Sequence, residues 1–258
     1  MSAFSLAGEL KWQTQNGKSW TGSLPGARSS CTYDQGKLYH MNAHGRLVCL
    51  NAKTGAEVWA VNILEQFGGQ NIMWGISESP IVHRDLVFAT PAGSKAMVVA
   101  VSKHTGETVW TTPPLDDETP SYSSPILVNC DGREILINSA TKNVFAVDAE
   151  TGELCWSVPQ EDPKNTVCTL PVLSENKLMI TNASRGNGAV FGVAMDGTTG
   201  KKTWVKKLTI SHGGTVCVNG LVYGASSRGE ANVSLANSLA SSWRPATRLL
   251  LQRANENE

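Results

Sequence analysis

The chain has no apolar stretch near the roughly 18 residues needed to cross a bilayer as a helix. It has no block of five like charges, and no cysteines spaced as C-x-x-C or C-x-x-C-H. Lys and Arg number 22 and Asp and Glu 22, a formal net charge of 0, so the basic footprint of a nucleic-acid or anionic-membrane binder is absent. The six cysteines (Cys31, Cys49, Cys130, Cys155, Cys168 and Cys217) stand singly. Four of them, Cys49, Cys155, Cys168 and Cys217, sit among apolar or β-branched neighbours, where a free thiol packs as a small apolar group. The histidines His40, His44, His83, His104 and His212 show no ligand spacing beyond His40 and His44, which straddle a predicted turn, so no metal site is expected. Neither Ser nor Cys shows a nucleophile elbow. Gly186-Asn187-Gly188 lacks a strand-to-helix context and reads as a hairpin connection, not a phosphate loop. The start, Met1 to Leu6, has neither a basic n-region nor a long apolar h-region, so no export signal is legible. With 41% hydrophobic and 17% charged residues, the chain can still bury a substantial core.

What the sequence does have is a repeat. Thr54-Gly55-Ala56-Glu57-Val58-Trp59, Thr105-Gly106-Glu107-Thr108-Val109-Trp110, Thr151-Gly152-Glu153-Leu154-Cys155-Trp156 and Thr199-Gly200-Lys201-Lys202-Thr203-Trp204 all read T-G-x-x-x-W, with a weaker copy at Ala7-Gly8-Glu9-Leu10-Lys11-Trp12. The tryptophans 12, 59, 110, 156 and 204 are spaced by 47, 51, 46 and 48 residues, a period that identifies a repeat architecture. Each copy follows a short apolar run such as Leu47-Val48-Cys49-Leu50 or Val144-Phe145-Ala146-Val147, read as a buried strand. Asn51 or Asp148 then supplies an Asx side chain for a turn, and the Thr-Gly glycine tolerates φ > 0. The Trp closing the next strand is suited to filling the wedge between neighbouring sheets.

The other half of each repeat is a second hairpin. Ser79-Pro80-Ile81-Val82 leads to Leu86-Val87-Phe88-Ala89, Ser124-Pro125-Ile126-Leu127 to Glu134-Ile135-Leu136-Ile137, and Leu170-Pro171-Val172-Leu173 to Lys177-Leu178-Met179-Ile180. Four strands per repeat, with no helix-period segment between them, exclude βαβ folds and helical solenoids. The prediction is an all-β fold, a β-propeller of four-stranded blades.

The run Val144-Phe145-Ala146-Val147-Asp148-Ala149-Glu150-Thr151-Gly152-Glu153-Leu154-Cys155-Trp156 resembles the repeat of the pyrroloquinoline-quinone-like (PQQ-repeat) β-propeller family, and the likeness covers residues from about 7 to 225. The motif residues Gly55, Trp59, Gly106, Trp110, Gly152, Trp156, Gly200 and Trp204 are structural, so the resemblance implies a fold more than an activity. It implies either a non-catalytic scaffold that binds a protein or small-molecule ligand, as in the outer-membrane assembly branch, or an alcohol dehydrogenase dependent on PQQ and Ca²⁺. The adjacent-cysteine ring of many such enzymes is missing, which favours the scaffold. It also implies a periplasmic or cell-envelope setting.

Seven or eight blades of this length would take about 330 to 380 residues. Residues 1–230 are read as propeller repeats, four full and the rest partial, and 231–258 as a non-repeat tail, disordered or helical, with Trp243 off the register. Two readings of the ends stay open. The chain is an arc of a larger ring, with open blade edges prone to self-association, or the strand at Leu10-Lys11-Trp12 joins strands after residue 214 to close five blades. For chemistry, Asp131, Asp148 and Asp196 are expected to cap turns, and Asp116-Asp117-Glu118 to form a solvated acidic loop. The longest repeat holds Gln66 to Ser79 just before a blade's first strand. It directs attention to the blade entries, where Arg28, Trp74, Glu78, Tyr122 and Ser123 are the candidate ligand or partner residues. In the enzyme reading Trp74 is a stacking face and Glu78 a metal ligand. In the bland reading Trp74 packs over its own loop and Glu78 meets a local N–H or Arg28.

Overall fold

Each T-G-x-x-x-W copy closes an antiparallel sheet in the computed structural model, which describes residues 1–115, 117–162, 166–182, 188–210 and 214–224. A two-stranded sheet, β1 (Ser2–Phe4) and β2 (Leu10–Gln13), precedes four blades of four strands. The first blade is β3 (Thr32–Asp34), β4 (Lys37–Met41), β5 (Arg46–Asn51) and β6 (Glu57–Asn62). After helix α1 (Ile63–Phe67) comes the second, β7 (Ile81–His83), β8 (Leu86–Ala89), β9 (Val99–Ser102) and β10 (Thr108–Thr111). The third is β11 (Ile126–Cys130), β12 (Arg133–Ser139), β13 (Asn143–Asp148) and β14 (Leu154–Pro159). The fourth is β15 (Val172–Ser174), β16 (Lys177–Asn182), β17 (Ala189–Met195) and β18 (Gly200–Lys207). A further hairpin, β19 (Thr215–Val218) and β20 (Leu221–Gly224), stands as its own two-stranded sheet. It does not pair with β1–β2 among the described residues.

The opening hairpin of every blade turns through a left-handed residue at the same place: Gln35, Arg84, Asp131, Glu175 and Asn219, with φ of 42, 52, 51, 53 and 50°. The later turn is organised by an Asx side chain. Asn51 Oδ1 accepts from the N–H of Lys53 and Thr54, and Asp148 Oδ1 from those of Glu150 and Thr151. Asp196 does the same for Thr198 and Thr199. Asp131 does not cap its turn. Asn129 does, accepting from the Gly132 N–H.

The core lies between blades. Tyr39, Leu47, Cys49 and Trp59 pack with Val87, Ala89, Val99 and Val101. Phe88, Val98 and Ala100 face Leu136, Phe145 and Val147, while Ile137, Val144 and Trp156 face Leu178, Phe191 and Val193. Successive residues of one strand thus feed opposite wedges, which is why these runs are continuously apolar and not alternating. In every repeat a β-bulge skips the residue before the tryptophan, so that Cys49 pairs with Trp59 and Leu50 with Glu57. The same shift precedes Trp110, Trp156 and Trp204. A bulge re-aims the following side chain, and here it turns the indole onto the next blade.

Two further expectations are corrected. The sequence reading assigned no helix, but Asn62 caps α1 by accepting from Glu65 N–H, and Gly68 ends it in the left-handed conformation at φ 70°. The connection into β7 that carries α1 is no longer than the one into β3; the 90–98 connection between β8 and β9 is what lengthens the second repeat beyond the first. Glu118 is not solvated; it is 8% exposed and accepts hydrogen bonds from Thr119 N, Lys142 N and Asn143 Nδ2. Gly200 lies in β18, and its need for glycine comes from contact with Trp156. Asp116, Gly186, Asn187, His212, Trp243 and the 231–258 tail lie outside the described residues.

Candidate functional site

Residue three before the first paired residue of each blade occupies one equivalent position: Ser29, Glu78, Ser123 and Thr169. The three hydroxyls donate to backbone carbonyls, Ser29 to Met41, Ser123 to Thr169 at 2.9 Å and Thr169 to Thr181 at 3.0 Å. Glu78 alone places a carboxyl there. It is 3% exposed, bonded by the Thr90 side chain and N–H, while its Oε1 has no partner. Burial pushes its pKa up to about 8 against the Thr90 bonds. Thr90 Oγ1 in turn accepts from Asn138 Nδ2 at 2.9 Å, so the carboxyl ties the second blade to the third. Ser30 N donates to Ser79 Oγ and Ser79 N to Ser124 Oγ, both at 2.9 Å, stitching adjacent blade entries in the same way.

Above this polar belt lie the aromatic candidates. The Trp74 and Tyr122 rings are 5.5 Å apart, the Tyr122 hydroxyl accepts from Trp74 N, and Ser77 Oγ donates to Tyr122 O at 2.9 Å. Burial raises the pKa of the Tyr122 phenol against the Trp74 N–H, and the charge of Arg28 also reaches it. The Arg28 guanidinium sits 5.6 Å from the centre of the Trp20 ring and donates to the carbonyls of Ser23 and Leu24. No carboxylate pairs with it among the described residues, and its Nε has no partner. Gly75 connects the two groups, because its missing side chain lets Trp20 Cε3 approach to 3.1 Å of the Cβ position. A strip therefore runs from Arg28 and Trp20 through Trp74 to Tyr122, fringed by Leu24 and Met73, which are 79 and 77% exposed.

Arg28, Trp74 and Tyr122 are thus brought to one strip, whereas Glu78 and Ser123 lie buried beneath it. Glu78 meets Thr90 and not Arg28. Trp20 was not singled out from the sequence. Its signal was available, since Trp20 and Trp74, like Trp243, are tryptophans outside the T-G-x-x-x-W register. His40 and His44 form no metal pair, for His40 bonds Asn16 and His44 lies 5.5 Å from the Trp20 ring.

A family model described as outer membrane protein assembly factor BamB matches residues 2–243. The chain belongs to this PQQ-repeat propeller family. Among solved structures, BamB from Moraxella catarrhalis is 18% identical, with a TM-score of 0.59 over 88% of this chain and 61% of that one. The quinohemoprotein alcohol dehydrogenase ADHIIG of Pseudomonas putida HK5 is 16% identical, with a TM-score of 0.52 over 76% of this chain and 38% of that one. The corresponding Comamonas testosteroni enzyme is 15% identical, with a TM-score of 0.54 over 78% and 40%. At these identities the likeness is one of fold. The chain spans about three fifths of the BamB structure and less of the dehydrogenases. A comparison with curated proteins gives no match.

The dehydrogenase branch of the PQQ-repeat family implies a quinone and Ca²⁺, and the residues here do not fit them. Calcium needs several hard, accessible oxygen ligands. Glu78 is an enclosed carboxyl whose burial favours the neutral form. No cluster of three metal-binding side chains occurs among the described residues.

Proposed function

We propose that this chain is a non-catalytic propeller module that docks a segment of a protein partner along the Arg28–Trp20–Trp74–Tyr122 strip, in the cell envelope. The observation that carries the reading is the combination of a guanidinium that no carboxylate pairs with among the described residues and partly exposed aromatic and exposed aliphatic side chains on one set of blade entries. Aromatic residues and Arg dominate binding energy at protein interfaces, and a desolvated Arg fork selects a carboxylate. The fitting partner segment therefore carries an acidic residue next to apolar ones. The match to the BamB family model supports a protein partner.

The test is site-specific photo-crosslinking in cells from position 74, with Tyr33, an exposed residue in β3 away from the strip, as the control. A crosslinked partner seen from 74, absent from 33 and lost with Arg28→Glu supports the reading. Equal crosslinking from both positions, or indifference to Arg28→Glu, overturns it.

A further inference from the structure

Between the β1–β2 hairpin and the first blade is a cavity of about 200 Å³, lined among others by Asn16, Lys18, Trp20, His40 and Asn42. It is far larger than one water needs. Met1, whose amine donates to Thr14 O at 2.6 Å, and the exposed Lys18 bring positive charge to its wall, and no carboxylate lines it. His40 is 4% exposed, and a relay of side chains fixes how it sits. Glu57 holds Arg46 through both carboxylate oxygens, at 3.0 and 2.8 Å. Arg46 Nη1 donates to Asn16 Oδ1 at 2.7 Å, while Asn16 Nδ2 reaches the carbonyls of His40 and Arg46 at 3.3 Å. Those contacts leave the Asn16 amide one orientation, NH₂ toward His40.

At 2.9 Å from Asn16 Nδ2, His40 Nδ1 must then be the acceptor. The imidazole proton is consequently on Nε2, which has no partner among the described residues. Burial, and next the charge of the Met1 amine, lower the His40 pKa, so the ring is neutral at pH 7. Outer residues that fix an imidazole's tautomer are the usual support of a ligand-binding histidine.

We propose that this cavity binds a small organic carboxylate, its oxygen taking the His40 Nε2–H and its charge facing Lys18, with the Trp20 ring as the apolar wall. This site is separate from the docking strip and shares only Trp20 with it. The chemistry follows from a wall with donors and a cation but no acid, and from a volume that suits a compact anion.

The test uses the full chain with ¹⁵N-labelled histidine, benzoate and propionate as probes, and chloride at matched ionic strength as control. The His40 ring nitrogens should first report the Nε2–H tautomer. A carboxylate titration should then move the Nε2 signal saturably, with a Kd on the order of 1 mM for so few atoms. Lys18→Ala, a surface change, should weaken binding about threefold to tenfold without altering the tautomer. An Nδ1–H tautomer, a non-saturating shift, the same shift in chloride, or unchanged affinity in Lys18→Ala would each overturn the proposal.

Discussion

The indole of Trp156 lies flat against Gly200 of the following blade, so close that a Cβ on Gly200 would come within 2.5 Å of Cδ2. The same contact joins Trp12 to Gly55, Trp59 to Gly106 and Trp110 to Gly152, at 2.5 to 2.7 Å. In two of the junctions the indole N–H also donates to a carbonyl of the next blade, Trp12 to Ala52 at 3.0 Å and Trp59 to Lys103 at 2.9 Å. The spacing of the motif is therefore the spacing of a lock between neighbours: each tryptophan is the key for the glycine one repeat later.

Gly200→Ala should destabilise the chain by about 1–3 kcal/mol through overpacking on Trp156, and Trp156→Ala by about 3–5 kcal/mol through the void it leaves. Gly214→Ala, where nothing lies within 4 Å of the Cβ position, is the control and should stay within about 0.5 kcal/mol. Urea unfolding of the three variants checks this. Equal effects at Gly200 and Gly214 would show that the contact carries no energy.

Glu78 makes stability depend on pH. Its folded pKa of about 8 lies above the ordinary 4.5, so the unfolded chain ionises first. The stabilisation from the neutral carboxyl is complete below about 4.5 and is lost as pH rises through about 8. The wild-type midpoint in urea should fall between pH 6 and pH 9, and Glu78→Gln should remove most of that fall. A variant retaining the full slope would place the titrating group elsewhere.

Glu118→Ala should cost about 1–3 kcal/mol, because it strips the partner from two partly buried backbone N–H groups, those of Thr119 and Lys142, and from the Asn143 amide. Glu118→Gln should recover part of the loss, since its carbonyl oxygen still accepts. Thermal unfolding of both variants against the wild type separates this from a surface residue, which would change neither.

Trp74→Ala should leave stability within about 1 kcal/mol, since the ring is 39% exposed and its main neighbour is Tyr122. Partner crosslinking from an adjacent strip position should nevertheless fall at least about tenfold, the scale of one interface hot spot. Parallel loss of folding and binding would reassign Trp74 to packing.

Among the described residues the β1–β2 and β19–β20 sheets have two strands each, where every blade has four. Unpaired edges template further pairing, so the purified chain should associate with rising concentration. Light scattering behind size exclusion decides this, and a sharp monomer at every concentration would contradict it.

Strand order, blade period and the faces of the core were legible in the amino-acid sequence, because T-G-x-x-x-W and the apolar runs are local patterns that recur at a constant interval. The buried Glu118 was not, since its partners at 142 and 143 lie across a hairpin and nothing in Asp116-Asp117-Glu118 marks which acid turns inward. The candidate residues were half legible. Their place at the blade entries followed from repeat register, which put Arg28 and Tyr122 at one equivalent position and Trp74 in the loop leading to it. Glu78 and Ser123 share that register, yet the polar belt draws them below the surface.

The sequence by itself determined the repeat, and with it the four-stranded blade and its tryptophan lock, because each depends on residues a few positions apart whose pattern admits one local structure. Tertiary structure alone decided which faces stay open and which groups lose water. Gly75 admits Trp20 beside the Trp74 loop, and Arg46 from the first blade sets the proton on His40 through Asn16. Those relations join residues from different repeats through close approach and desolvation, and neither quantity is written in any one stretch of chain.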